Sequence, residues 1–215
     1  MIREKGDFIL QNRPTQTSSE LIVTGGSYYL SISQNGEELT GTYQISVPQS
    51  SEDFQIFEGE DAGNNENIWN LDNESTRWQR QFDSTAGADT FYNYCCLEKF
   101  NWINFDYFYS CGCPLTKIEV RLPKEFGNLN TRVMCVFKNE DMVSSLRGNK
   151  DTKLFETGAG YQAPIGEDVT LVVMSRKSGK YYFSTKDVTL AVNTIYDITP
   201  NEVTLAAMKA SIAGL

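Results

Sequence analysis

Five cysteines are the residues of this chain best suited to chemistry: Cys95, Cys96, Cys111, Cys113 and Cys135. Thiolates bind metals, and thiols pair into disulfides. An odd count leaves at least one cysteine unable to pair within the chain, and a reducing compartment is the simpler account. Zinc sites usually draw on Cys pairs separated by roughly two to four residues. Cys95 and Cys96 are adjacent, so on a strand they point to opposite faces. Cys111 and Cys113 would share a face. A mixed site joining them to one of the first pair stays open, as does a disulfide. Buried free thiols, acting as small hydrophobes, are the preferred reading.

The chain has no histidine. That excludes histidine triads, histidine general bases and histidine metal ligation. Carboxylate and cysteine chemistry survive the exclusion. Paired carboxylates would suit a glycosidase, yet sequence alone does not set two of them across a cleft.

Acids concentrate in one stretch. Residues 51–76 hold eight Asp or Glu and no Lys or Arg, with Asn64, Asn65, Asn67, Asn70 and Asn73 among them. Carboxylate and amide oxygens are calcium ligands, but the Asp-x-Asn-x-Asn-Gly register of a helix–loop–helix calcium site is absent. A long, solvated acidic loop, tied down at Phe54, Ile56, Phe57, Ile68, Trp69 and Leu71, is the expectation. The imbalance is regional: residues 1–90 carry 15 acids against 5 bases, and residues 91–215 carry 13 against 14. A clustered basic footprint for phosphates is not visible, so nucleic acid is not an expected partner.

Residues 91–109 hold nine of the chain's 26 aromatic side chains. Core is the plain reading. Aromatics with a polar handle also serve subunit interfaces and sugar stacking. Trp69, Trp102, Tyr107 and Tyr109 are therefore candidate partner- or ligand-binding residues. On one continuous strand, Phe105, Tyr107, Tyr109, Cys111 and Cys113 would share a face.

Other motifs are missing. There is no Gly-x-Ser-x-Gly elbow, no phosphate-binding loop and no dinucleotide fingerprint. Asn73-Glu74-Ser75 matches a glycosylation acceptor, a short pattern that often arises by chance. No cofactor or metal is implied. No apolar run approaches the ~20 residues needed to span a bilayer, so membrane insertion is not expected. The charged start followed by Phe8-Ile9-Leu10 is too short for a signal core, and synthesis and retention in a cytoplasm is the expectation.

The elements that must position these residues read as strands. Asn35-Gly36 between alternating runs predicts a hairpin, since both turn positions favour positive φ. Residues 116–122 alternate strictly, with Ile118, Val120 and Leu122 inward. Arg132 to Phe137 carries Val133-Met134-Cys135-Val136-Phe137, apolar on both faces, as a central strand requires. Residues 139–166 read as loop. Residues 169–175 read as a buried strand, turning at Arg176-Lys177-Ser178-Gly179 into 180–184, with further strands at 187–192 and 194–198. Thr199-Pro200-Asn201-Glu202 reads as a helix start with a capping box. Leu205, Met208, Ile212 and Leu215 then form one stripe, so Leu205, Met208 and Ile212 join the candidate contact residues. About 13 residues is marginal for an isolated helix, so this one must dock, either on its own body or on a neighbouring subunit.

The expected fold is mainly β: an antiparallel β-sandwich or barrel-like domain with a C-terminal α-helix and the acidic loop. The expected organisation is an N-terminal arm (1–20), a β domain (21–198, divisible into 21–115 and 116–198) and the terminal helix (199–215). The expected role is a non-enzymatic structural or interaction subunit that forms homo- or hetero-oligomers. Its most concrete version is a head, neck or tail component of a bacteriophage virion. The alternative is a bacterial surface β-sandwich that binds carbohydrate or mediates adhesion.

Overall fold

A computed structural model describes residues 4–39, 43–49, 54–61, 67–71, 78–82, 90–97, 102–158 and 161–215. The chain is mainly β, built of antiparallel sheets that include a curled, half-barrel sheet, and it has a C-terminal helix.

The largest sheet takes eight strands from the second half: β11 (Glu119–Arg121), β12 (Thr131–Phe137), β13 (Val143–Gly148), β14 (Phe155–Glu156), β16 (Asp168–Lys177), β17 (Lys180–Thr189), β18 (Ile195–Asp197) and β19 (Asn201–Val203). Their order is β18-β11-β14-β13-β12-β16-β17-β19, and only β11 and β18 run parallel. β10 (Leu115–Thr116) and β15 (Ala163–Pro164) pair beside it. A second sheet has the order β1-β9-β5-β6, from β1 (Ile22–Tyr29), β5 (Gln55–Asp61), β6 (Asn67–Leu71) and β9 (Trp102–Phe108). A third joins β4 (Tyr43–Gln49), β7 (Trp78–Phe82) and β8 (Thr90–Leu97) in the order β4-β8-β7. β2 (Ser33–Gln34) and β3 (Glu37–Glu38) form a small hairpin. Its turn is Asn35-Gly36, with φ of 56° and 85°, as the sequence predicts. The flanking runs do not pair with each other: β1 pairs with β9, and β4 with β8.

β12 is buried on both faces because it separates two cores. Val133, Cys135 and Phe137 face the interior of the curled sheet with Ile118, Val120 and Leu171. Met134 and Val136 face two helices, α1 (Lys5–Leu10) and α2 (Leu205–Ala213), and pack with Phe8, Met208 and Ile212. The inward set of Ile118, Val120 and Leu122 and the buried strand at 169–175 stand as predicted. The β16–β17 hairpin turns on Ser178-Gly179, with φ of 50° and 78°.

Several expectations are corrected. The stretch at 11–20 is not a free arm. The Thr15 amide donates to Val143 O (2.6 Å), and Thr15, Gln16 and Thr17 are buried, so polar side chains here close main-chain hydrogen bonds in the interior. Within the acidic stretch, 55–61 and 67–71 are strands, not loop. Phe54, Ile56, Phe57 and Trp69 are buried while Gln55 and Glu58 face out, so apolar burial outweighs the charge. Residues 62–66 and 72–77, with Asn64, Asn65, Asn73, Glu74 and the glycosylation pattern, lie outside the described residues. Residues 139–166 contain β13, β14 and β15. Finally, α2 begins at Leu205, not Pro200. Asn201–Val203 instead adds an edge strand to β17, with Lys180 Nζ donating to Glu202 Oε2 at 2.8 Å. The cap is Thr204, whose hydroxyl accepts from the Ala207 amide.

α2 docks on its own chain. Met208 and Ile212 are buried against the sheet and α1, while Leu205 is exposed. Gly6 makes the helix crossing close: a Cβ there would overlap the Ile212 carbonyl oxygen. No strand before Phe108 shares a sheet with a strand after Leu115 among the described residues. Leu21 and Val23 nevertheless lie in the core of the curled sheet.

Candidate functional site

The aromatic candidates separate onto different surfaces. On β9, Trp102, Asn104, Asp106 and Phe108 face one way, and Ile103, Phe105 and Tyr107 the other. Trp69 is wholly buried on the first face. Its amide donates to Gln16 O (3.2 Å) and its Nε1 to Pro14 O (3.0 Å). Trp102 is half-buried between the Tyr29 ring (5.2 Å) and the Arg13 guanidinium (4.9 Å). Tyr107 packs on Phe54 across the opposite face, 5.7 Å between rings. Tyr109 lies past the strand end, its amide donating to Leu21 O and its hydroxyl to Glu167 Oε1 at 3.4 Å. Met208, Ile212 and Leu205 sit on α2, against the outer face of the large sheet. The structure does not gather these seven into one site.

The cysteines also separate. β9 ends at Phe108, so Cys111 and Cys113 do not extend its aromatic face. They are bonded to each other in an exposed turn, which replaces the expected buried thiols there. Cys135 is a buried free thiol, as expected, and burial pushes its ionisation far above the ordinary thiol range. The side chains of Cys95 and Cys96 lie outside the described residues. Among the described residues, no three potential ligands come together to hold a metal.

The sequence missed a cationic groove of about 590 Å³. One wall is the N-terminal stretch with Asn12, Pro14 and Gln16. The other is the loop before β12 with Arg132 at the start of that strand, and the end of β13 with Arg147 and, just past it, Lys150. No Asp or Glu lines it among the described residues, although the chain's net charge is −9. Strand register assembles it: Val133 pairs with Leu146, which puts Arg132 beside Arg147, and Arg132 pairs across with Met174.

The rim is built firmly. Asn130 Oδ1 accepts from the Gly127 amide, and its Nδ2 donates to Glu125 O, both at 2.9 Å. Asn128 Nδ2 donates to Gly148 O (2.7 Å), and the Gly148 amide donates to Asn128 Oδ1 (2.8 Å). Between these clamps Leu129 projects fully into solvent, 104% exposed. Beyond it a shallower recess of about 440 Å³ continues past Arg132 to Arg176, Tyr181 and Met208, again without an acid among its described lining. Behind the groove, Tyr161 donates to Ser145 O (2.5 Å), and Gln16 Oε1 accepts from the Ser145 amide (2.8 Å). An apolar knob beside cationic side chains can seat an acidic surface.

A second polar cluster is internal. Thr24 Oγ1 donates to Asn104 Oδ1 (2.9 Å), and Asn104 Nδ2 donates to Asp106 Oδ2. All three residues are buried beside the Gly25-Gly26 irregularity of β1. Burial holds the Asp106 carboxyl well above the usual carboxylate range, while hydrogen bonds from Thr24 and Gly25 pull it the other way. The folded protein therefore keeps a proton that the unfolded chain releases near pH ~4. The stability this group contributes is complete below that pH and is lost as pH rises through the folded value. Asp106→Asn is expected to remove that decline. Urea unfolding from pH ~4 upward measures it, and parallel pH profiles for both proteins would contradict the assignment.

Comparison with family models, curated proteins and solved structures finds no match for this chain. No helix among the described residues is long and apolar enough to cross a membrane.

Proposed function

We propose that this protein is a non-enzymatic interaction subunit of a larger assembly, and that it seats an acidic partner surface in the groove beside Leu129. A bacteriophage head, neck or tail component is the most concrete version of that role. The observation that carries the reading is a wholly exposed leucine, held by two hydrogen-bonded asparagine clamps between recesses whose described linings hold cations and no acid. An exposed apolar side chain between cationic recesses offers a partner an anchor, and the surrounding charge steers the encounter.

The carbohydrate alternative draws less support. Trp69 is spent inside the core, and both neighbours of Trp102 already occupy its ring. The test is mass photometry of the protein in its native source material. A complex that weakens at least about tenfold with Arg132→Glu plus Lys150→Glu, and weakens with added salt, supports the reading. A monodisperse monomer at high concentration, with no partner in native extracts, overturns it.

A further inference from the structure

We propose that Cys111 and Cys113 form a reactive redox pair that undergoes exchange with external thiols, and that their bond is not a structural staple. The two residues lie in the connection between Phe108, the last residue of β9, and Leu115, the first of β10. Cys111 is exposed and Cys113 half-buried, and neither belongs to any of the apolar cores. Gly112 bridges them at φ +61°, with nothing within 4 Å of where a Cβ would stand. The Gly112 side of the connection is therefore open, Cys111 is exposed, and Cys113 keeps partial access to solvent. A disulfide stabilises largely by restricting the unfolded chain, and more so for longer loops. This one encloses a single residue, so it restricts very little. An exposed bond of that kind belongs to the labile class.

The local geometry also gives the exchange a direction. The Cys113 amide points at Cys111 Sγ, 3.2 Å away. That N–H can stabilise negative charge on Cys111, which favours Cys111 as the leaving sulfur. An external thiolate attacks Cys113 Sγ. The Cys111–Cys113 bond breaks, its electron pair stays on Cys111 as a thiolate, and a mixed disulfide forms at Cys113. A second external thiolate then attacks the external sulfur of that mixed disulfide. It releases Cys113 as a thiolate and leaves the two external thiols joined. Two electrons enter the protein, and the external thiol is oxidised. Cys135 takes no part, because it is sealed in the core.

The test uses the full chain in its oxidised form. It is exposed to glutathione, quenched by alkylation and mapped by peptide mass spectrometry. The expected result is a glutathione adduct at Cys113 that disappears in Cys113→Ser. In Cys111→Ser the adduct should form with oxidised glutathione and persist, because no resolving thiol remains. The Cys111→Ser/Cys113→Ser double variant should melt within about 2 °C of the parent, as a bond without a structural role requires. A parallel non-reducing gel reads the second thiol source: dimers linked through Cys113 would place it on another copy of this chain, again through exchange. Three results would overturn the proposal. They are alkylation of both thiols before any reductant is added, a bond that resists glutathione, and a large loss of thermal stability in the double variant.

Discussion

Trp69→Ala is expected to cost about 3–5 kcal/mol of folding stability, the range for truncating a large buried aromatic. That corresponds to a fall of roughly 6–20 °C in melting temperature for a chain of this size. The ring is completely buried with Ile22 and Phe57. Its Nε1 and its amide also hold the N-terminal stretch through Pro14 O and Gln16 O. Truncation therefore opens a cavity and leaves the Pro14 carbonyl without its indole donor. Gly59, the register partner of Trp69, adds to the constraint: a Cβ there would approach Trp69 Cζ3 at 3.0 Å and Trp102 Cβ at 2.7 Å. Chemical denaturation measures the loss. A change under about 1 kcal/mol would mean that Trp69 is not the internal strut described here.

Ile212→Ala should be the next most damaging, at about 2–5 kcal/mol. Ile212 is 2% exposed and packs α2 onto Phe8, Val136 and Val172. α2 has only nine residues, too few to persist without docking. Loss of the contact should release both helices together, because the Gly6 crossing rests on the Ile212 main chain. Hydrogen exchange gives the sharper reading. Amides of α1 and α2 should lose protection before those of β12 and β16, which are hydrogen-bonded on both sides. Unchanged protection in α1 would contradict the coupling.

The parts of the fold legible in sequence are those whose pattern came from one dominant environment. Ile118, Val120 and Leu122 alternate because β11 has one buried face. Residues 133–137 are apolar throughout because β12 separates the curled core from the helices. Asn35-Gly36 and Ser178-Gly179 announced their turns through positive φ. Where environments mixed, the pattern failed. β13 carries Ser144, Ser145 and Arg147 among Val143 and Leu146, so it resembled loop. α1 spans six residues, too few to show a helical period. The Thr199-Pro200 start was a sound local signal, but pairing of Asn201–Val203 with β17 prevailed over it.

The groove was the least legible feature. Arg132, Arg147, Lys150 and Arg176 are spread over more than 40 positions and meet only through the β12–β13 and β12–β16 registers. Leu129 alone carried a hint, as a large apolar residue amid Gly-Asn-Leu-Asn. Nothing in that stretch showed that Asn128 and Asn130 would clamp the loop and hold the leucine in water.

The most direct test of the central claim is a photo-reactive amino acid placed at Leu129, activated in the native source material and read by mass spectrometry. Crosslinks to a defined partner surface rich in Asp and Glu are expected, lost on Arg132→Glu plus Lys150→Glu. Only uncrosslinked protein, or crosslinks unaffected by that charge reversal, would contradict that claim.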